Sequence, residues 1–301
     1  MNKGMPRTPA KISIAGNIGS GKSSVARRVA EITGWPVVST GSLFRELATR
    51  RGLTVLELNQ LAESDPSIDE EVDGHLRRLA LTDDPAVIDS RMAWHFVPES
   101  FKTYLVVDPM VAVGRVYGAV RADERYASVE EAAREIIARQ HVEAERYEQI
   151  YSVHVDDWRN YQLVIDTSRA DVDTVAGIIV RRLDELAAED LPMRPVCLLS
   201  PWRLLPTAAI DTVGAGPGDT TGSDSVPVAV HDRRIVIVDR HDVVSEALHR
   251  HDPLIRCELI AYDDEEVLPG VPVERFARTA VSERDVEDWE RLHGFRFDTF
   301  A

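Results

Sequence analysis

The chain has 301 residues, 51 Asp and Glu against 35 Lys and Arg, a formal charge of −16 and two cysteines. That length suggests two domains with ample surface to bury, and 44% hydrophobic with 29% charged residues excludes a disordered or fibrous chain. The acidic balance excludes a protein that coats nucleic acid, and no apolar run approaches the roughly 18 residues of a membrane span.

The first part alternates short apolar strands with amphipathic helices. Lys11–Ala15 reads as a strand, Gly21–Thr33 as a helix, Pro36–Ser39 as a strand and Gly41–Arg51 as a helix. Thr54–Asp65 and Ile68–Leu81 predict helices, and Ala86–Ser90 and Tyr104–Val107 predict strands. Helices follow at Pro109–Ala122 and Ser128–Tyr151, then strand Leu163–Asp166 and helix Val172–Glu189. This rhythm predicts an α/β domain with a parallel sheet flanked by helices. The two prolines of Leu191–Pro195 place a boundary near Leu191, giving domains 1–190 and 191–301, each carrying −8. In the second, Thr212–Pro227 is rich in Gly, Ser, Asp and Thr and reads as a mobile loop, 212–227. Val228–Val230 and Ile235–Val238 predict paired strands, His241–Arg250 a helix and Ile255–Tyr262 a strand. A small α+β domain is expected there.

Cys197 and Cys257 fit no zinc or redox spacing, and Met1–Ala10 has no apolar signal-peptide core, so a reducing cytoplasm is the expected compartment. Only four lysines occur among 31 arginines, and Lys22 completes a motif. Gly16-Asn17-Ile18-Gly19-Ser20-Gly21-Lys22-Ser23 fits G-x-x-x-x-G-K-[ST], between an apolar strand and a helix, with Ser24 next in line. The glycines let backbone N–H groups converge on phosphate oxygens, and the helix N-terminus adds partial positive charge. Lys22 would reach the β- and γ-phosphates, and Ser23 would ligate Mg²⁺. The motif predicts binding of a nucleoside triphosphate. No N-K-x-D guanine signature accompanies it, nor a long apolar strand ending in an Asp-Glu pair.

One strand later, Ser39-Thr40-Gly41-Ser42-Leu43-Phe44-Arg45-Glu46 resembles the acceptor segment of nucleoside monophosphate kinases, most closely archaeal-type cytidylate kinases. The acidic helix Asp65–Asp73, the strand end Asp89-Ser90-Arg91, the run Glu143–Tyr151, Asp156-Asp157 and Tyr161–Thr167 resemble that family in order and spacing, over roughly Lys11–Leu183. The resemblance implies ATP- and Mg²⁺-dependent phosphoryl transfer to a nucleoside monophosphate, CMP or dCMP. It implies acceptor contacts at Ser39, Gly41, Arg45, Asp69, Asp73 and Arg91. An acceptor monophosphate carries nearly two negative charges, which forked guanidinium groups suit. Asp89, ending its strand beside the phosphate site, would orient Mg²⁺-bound water, or else cap a helix. Arg121 and Arg125, four apart, resemble the family's R-x-x-x-R at the start of an arginine-bearing lid. Arg139 and Arg146 lie on one face of the next helix. With Lys22 these are the expected catalytic cations, and the alternative pairs them with Glu130, Glu131, Glu135 or Glu143 on solvated faces. Asp69 and Asp73, i and i+4, read either as acceptors for an amino-bearing base or a sugar hydroxyl, or as a solvated helix face.

Residues 196–262 more faintly resemble the ParB/sulfiredoxin-like fold, through Leu199–Thr207, the strand pair Pro227–Val230 and Arg234–Val238, and Asp239-Arg240-His241 where that family carries D-G-H. Asp239 and His241 read as an acid/base or phosphate-contacting pair, or as a helix cap and a surface residue. The tail aromatics Trp289, Phe295, Phe297 and Phe300 read as packing anchors, or as a seat for a partner chain or a second copy. Two further functions stay open: a kinase of another small-molecule hydroxyl or phosphate, and a non-catalytic nucleotide sensor.

Overall fold

A computed structural model describes residues 9–62, 64–118, 128–186, 194–209 and 225–297. It divides into two compact units, Met1–Gln162 with Asp171–Leu191, and Leu163–Ala170 with Pro192–Ala301. In chain order the first unit holds β1 (Lys11–Gly16), α1 (Lys22–Thr33), β2 (Val37–Ser39), α2 (Thr40–Arg51), α3 (Val55–Ala62) and α4 (Ser67–Ala80). It continues through β3 (Ala86–Asp89), α5 (Ala93–Phe96), β4 (Phe101–Val106), α6 (Pro109–Gly118) and α7 (Val129–Tyr151). Strand β5 (Leu163–Asp166) belongs to the second unit, and α8 (Val172–Leu186) returns to the first.

In the first unit the strands run in the order β2-β3-β1-β4, all parallel. Every residue of β1 is buried, as a strand covered on both faces requires. Its register sets up the site: Ile14 and Ser39 both lie opposite Asp89, and Gly16 lies opposite Leu105. Helix α1 buries Val25, Ala26 and Val29, a stripe at helical spacing, and packs against α8. Leu47, Ala48, Leu58 and Ile68 join α2, α3 and α4 in one apolar cluster. Ser128 caps α7 by accepting a hydrogen bond from the Glu131 N–H at 3.2 Å. Strand β4 starts three residues before the predicted Tyr104, because Phe101, 1% exposed, pairs with Ile12. The predicted helix Pro109–Ala122 is described as far as Gly118, and Arg121 and Arg125 lie outside the described residues.

The second unit adds β6 (Val196–Leu199), a 3₁₀ turn at Pro201–Arg203, β7 (Leu204–Leu205), β8 (Val226–His231), β9 (Arg234–Ile237) and α9 (His241–Arg250). Then come β10 (Ile255–Tyr262), β11 (Glu266–Leu268), β12 (Val271–Pro272), α10 (Val273–Ala280) and α11 (Glu283–His293). Its main sheet is mixed, in the order β5-β6-β10-β8-β9-β7. Parallel pairing of Leu163 with Val196 draws β5 into this unit, where the sequence reading assigned it to the first domain. Strand β8 starts at Val226, so the end of the predicted loop 212–227 is strand, and residues 210–224 lie outside the described residues. Trp289 of α11 is fully buried and its Nε1 donates to the Ala208 carbonyl at 3.1 Å, while Phe297 is 5% exposed. Phe300 lies outside the described residues. Among the described residues no helix is long and apolar enough to cross a membrane.

Candidate phosphoryl-transfer site

The loop between β1 and α1 takes backbone angles that favour glycine, with φ of 145° at Gly16, 78° at Gly19 and 81° at Gly21. Space is as restrictive as conformation. A Cβ on Gly16 would run into the Leu105 carbonyl, and one on Gly19 would lie 2.8 Å from the Ala112 backbone. The Asn17 N–H donates to the Leu105 carbonyl at 3.1 Å, its side-chain amide reaches Tyr104 Oη at 3.3 Å, and Ser20 Oγ donates to the Asn17 carbonyl at 2.8 Å. Ile18 packs against the cluster of Val113, Ala132 and Ile136. The Ser24 N–H donates to the Gly21 carbonyl at 3.0 Å, opening α1. Lys22 Nζ folds back over the loop, donating to the Gly16 and Asn17 carbonyls at 2.8 and 2.7 Å. All the predicted phosphate-loop residues therefore converge in one turn.

Beside that turn, β3 ends at Asp89, 7% exposed. Ser23 Oγ donates to Asp89 Oδ2 at 2.7 Å, and Ser39 Oγ donates to the same oxygen at 3.3 Å. Ser39 therefore faces the strand-end carboxylate. Asp89 does not cap the next helix: Met92 holds the cap position of α5. A hydroxyl and a carboxylate, both hard oxygen donors, fit Mg²⁺, which takes one or two protein ligands and fills its shell with water and substrate phosphate. Among the described residues no cluster of three His, Cys, Asp or Glu offers another cage.

Arg91 lies two residues past Asp89, and its partly buried guanidinium forms an ion pair with Glu143 of α7. Arg139 Nε reaches the other oxygen of Glu143 at 3.1 Å. Burial, reinforced by the positive charges of Arg139 and Arg146, lowers the Arg91 pKa from the ordinary guanidinium value. Arg146 stands 3.8 Å from Asp69, yet its Nε and Asp69 Oδ2 are both buried without a hydrogen-bond partner. Asp73 accepts a hydrogen bond from Tyr151 Oη at 2.5 Å. Burial raises the pKa of both carboxyls, opposed by Arg146 at Asp69 and chiefly by Tyr151 at Asp73. Asp69, Asp73, Arg91, Arg139 and Arg146 thus form one network, and Asp73 is 6% exposed where a solvated face was the alternative.

Arg45 stands apart from that network. It is exposed, donates to Ser42 Oγ at 3.0 Å, and with Ser42, Glu46, Thr49 and Arg50 lines an open depression of about 480 Å³. Gly41 has room for a side chain, so backbone geometry does not explain its glycine. The sequence reading missed Glu143 and Tyr151 as site members, although Glu143, Tyr147 and Tyr151 recur every four residues along one face of α7. Trp94 is buried and packs on Tyr161 at 5.7 Å between ring centroids, which makes it core.

Residues 11–169 match the cytidylate kinase-like family. The chain belongs to that family. It is 35% identical over 175 residues to the cytidylate kinase of Methanocella arvoryzae, covering 58% of this chain and 97% of that protein. It is 38% identical over 181 residues to that of Natronomonas pharaonis, covering 60% and 92%. To that of Archaeoglobus fulgidus it is 34% identical over 175 residues, covering 58% and 94%. This member of the cytidylate kinase-like family is therefore a phosphotransferase of the kinase class, with a P-loop α/β fold. The matched span contains every first-unit candidate, from Gly16 to Arg146, and includes β5, which folds with the second unit.

In the second unit the Asp239–His241 turn differs from the helix-cap and surface-residue reading, since Arg240 holds the cap position of α9. Arg240 adopts a left-handed backbone with φ of 63°, its N–H bonded to Asp239 Oδ1 at 2.7 Å. His241 is 9% exposed and accepts a hydrogen bond at Nε2 from the Thr207 N–H at 3.0 Å. The Thr207 hydroxyl donates to the Ile237 carbonyl at 2.7 Å. Burial lowers the His241 pKa, opposed by Asp239 and Asp242. His241 is a buried, hydrogen-bonded ring that ties α9 to Thr207, so the surface-residue reading is corrected.

Proposed function

We propose that this enzyme transfers the γ-phosphoryl group of ATP, with Mg²⁺, to CMP or dCMP. One observation carries the reading: the end of β3 presents Asp89, bonded to the P-loop Ser23, two residues from Arg91, so metal ligand and acceptor cation share one strand end. The relatives named cytidylate kinase support the acceptor.

Phosphoryl transfer passes through a loose transition state, so the protein mainly positions groups and neutralises charge. The turn of Gly16 to Ser24 offers N–H groups to the triphosphate, and Lys22 exchanges the Gly16 and Asn17 carbonyls for phosphate oxygens. Ser23 and Asp89 would hold Mg²⁺, which when bound screens the phosphate charges. Arg91, with Arg139 and Arg146, receives the acceptor phosphate, and Arg45 guides it from the depression beside α2. Ser39 and Gly41 open that helix, and Arg121 and Arg125, outside the described residues, would supply the lid charge that the family resemblance implies. Asp69, with an unbonded buried oxygen, and Asp73, fixed by Tyr151, suit the exocyclic amino group of cytosine, which uracil lacks. The C-terminal unit, a proposed ParB/sulfiredoxin-like fold, would regulate the kinase or recruit substrate in the cytoplasm.

Arg91→Ala tests the carrying observation. It should lower kcat/KM for CMP by two to three orders of magnitude, roughly the worth of a charge-assisted contact made to a transferring group, while the KM for ATP stays within about twofold. Unchanged acceptor kinetics would remove Arg91 from the site.

A further inference from the structure

We propose that Glu143 is an internal stand-in for the acceptor's phosphate: its carboxylate bridges the guanidinium groups of Arg91 and Arg139 and must yield that place when a phosphorylated acceptor enters. The proposal rests on the acceptor site assigned above and adds a residue that controls entry to it.

The charges make the case. Arg91 and Arg139 each pair with a different oxygen of the Glu143 carboxylate, and the Glu143 side chain is only 15% exposed. Arg146 is close enough to Arg91 to lower its pKa by like-charge repulsion, and keeps a buried Nε without a hydrogen-bond partner. Two guanidinium groups thus grip one carboxylate, and Arg146, 3.8 Å from Asp69, adds its positive charge near Arg91. A phosphate dianion, with three acceptor oxygens and about twice the charge, suits these two guanidinium forks better than a single carboxylate. Glu143 lets the cluster stay folded and partly desolvated before the acceptor arrives, at the cost of a competition that only a doubly charged group wins well. It also discriminates: a singly charged ligand gains little by replacing it.

The test is Glu143→Gln, which keeps shape and removes charge, beside Glu143→Asp, which keeps the charge. Inorganic phosphate is the probe, titrated by calorimetry into full-length protein, so the result does not depend on which nucleoside is phosphorylated. The expected result is phosphate binding about tenfold tighter in Glu143→Gln, the modest end of what one charge at about 4 Å contributes near a protein surface. Glu143→Asp should match the parent protein, and the KM for CMP should fall in Glu143→Gln in parallel with phosphate. Phosphate binding that is unchanged or weaker in Glu143→Gln would overturn the proposal, and a raised KM for CMP would make Glu143 a direct acceptor contact instead. Failure of the enzyme to phosphorylate any nucleoside monophosphate would sink the acceptor assignment while leaving the phosphate titration to decide on Glu143.

Discussion

At the scale of single residues, the site divides into groups whose type alone announced them and groups that only the fold could deliver. Lys22 and Ser23 belong to the first kind, because a glycine-rich turn between strand and helix leaves few other uses for them. Lys22→Ala should reduce phosphoryl transfer by about a thousandfold or more, as loss of a preorganised charge at a transferring phosphoryl does, and retained turnover would remove the loop from catalysis. Tyr151 belongs to the second kind. Its hydroxyl holds Asp73, whose pKa is raised by burial and pulled back down by that hydrogen bond. Tyr151→Phe removes the downward pull, so the Asp73 pKa rises further and the acid limb of kcat/KM for CMP moves to higher pH. An acid limb that stays in place would show that Asp73 is not the titrating acceptor group. Sequence spacing placed Asp69 and Asp73 on one face, but could not show that α7 covers that face; the burial comes from a helix about 80 residues downstream.

At the scale of elements, the first unit was legible because its strands are near-continuous apolar runs separated by long helical patterns, as in β1 and α1. The second unit was less so. Strand β6 has four residues, Val196 to Leu199, set between Pro195 and Pro201, too short for any period to emerge. Helix α11 is mostly polar and buries only Val286 and Trp289 along its length. That one tryptophan is central to the unit. Trp289→Ala should cost about 3–5 kcal/mol, the usual range for emptying a buried aromatic site, and a loss below about 1 kcal/mol would contradict its anchoring role. Helix α9 carries a pH dependence through His241. Its folded pKa lies below that of the unfolded chain, near 6.5, so the neutral ring's contribution is complete above that value. As pH falls through 6.5 toward the folded pKa the unfolded chain binds the extra proton and stability is lost. His293, lowered by burial and by His249, acts in the same direction. Urea titrations followed by tryptophan fluorescence should show the second unit less stable at pH 5 than at pH 8, with the slope reduced in His241→Gln; an equal slope would exclude His241.

At the scale of the whole molecule, the boundary near Leu191 read from the prolines omits a return of the chain. Strand β5 lies inside the family match yet pairs with β6, and the fully buried Asp166 at its end bonds Arg203 at 2.9 Å. Removing Arg203 strips that buried carboxylate of its counter-charge, although the Ser168 N–H and hydroxyl still donate to Oδ1 at 2.8 and 2.5 Å, so the loss should lie at or below the about 3–5 kcal/mol of comparable buried pairs. Arg203→Ala in the full chain should therefore lower the melting temperature clearly, and a melting temperature within about 1 °C of the parent would show the pair to be dispensable. The residues past 190 thus include the structural partners of a kinase strand. The charge of −16 conceals local positive charge: Arg91, Arg139 and Arg146 interact with one another, and Lys22 folds over the phosphate loop, within an otherwise acidic chain. The central claim is that this site phosphorylates a cytosine nucleotide. Steady-state kcat/KM for the full-length protein with Mg-ATP, measured across CMP, dCMP, UMP, AMP, GMP and dTMP, tests it most directly. CMP or dCMP should exceed every other acceptor by at least about tenfold, the range that one well-placed carboxylate-to-amino contact supplies. A purine or uracil nucleotide ranking first, or no turnover of any of the six, would contradict it.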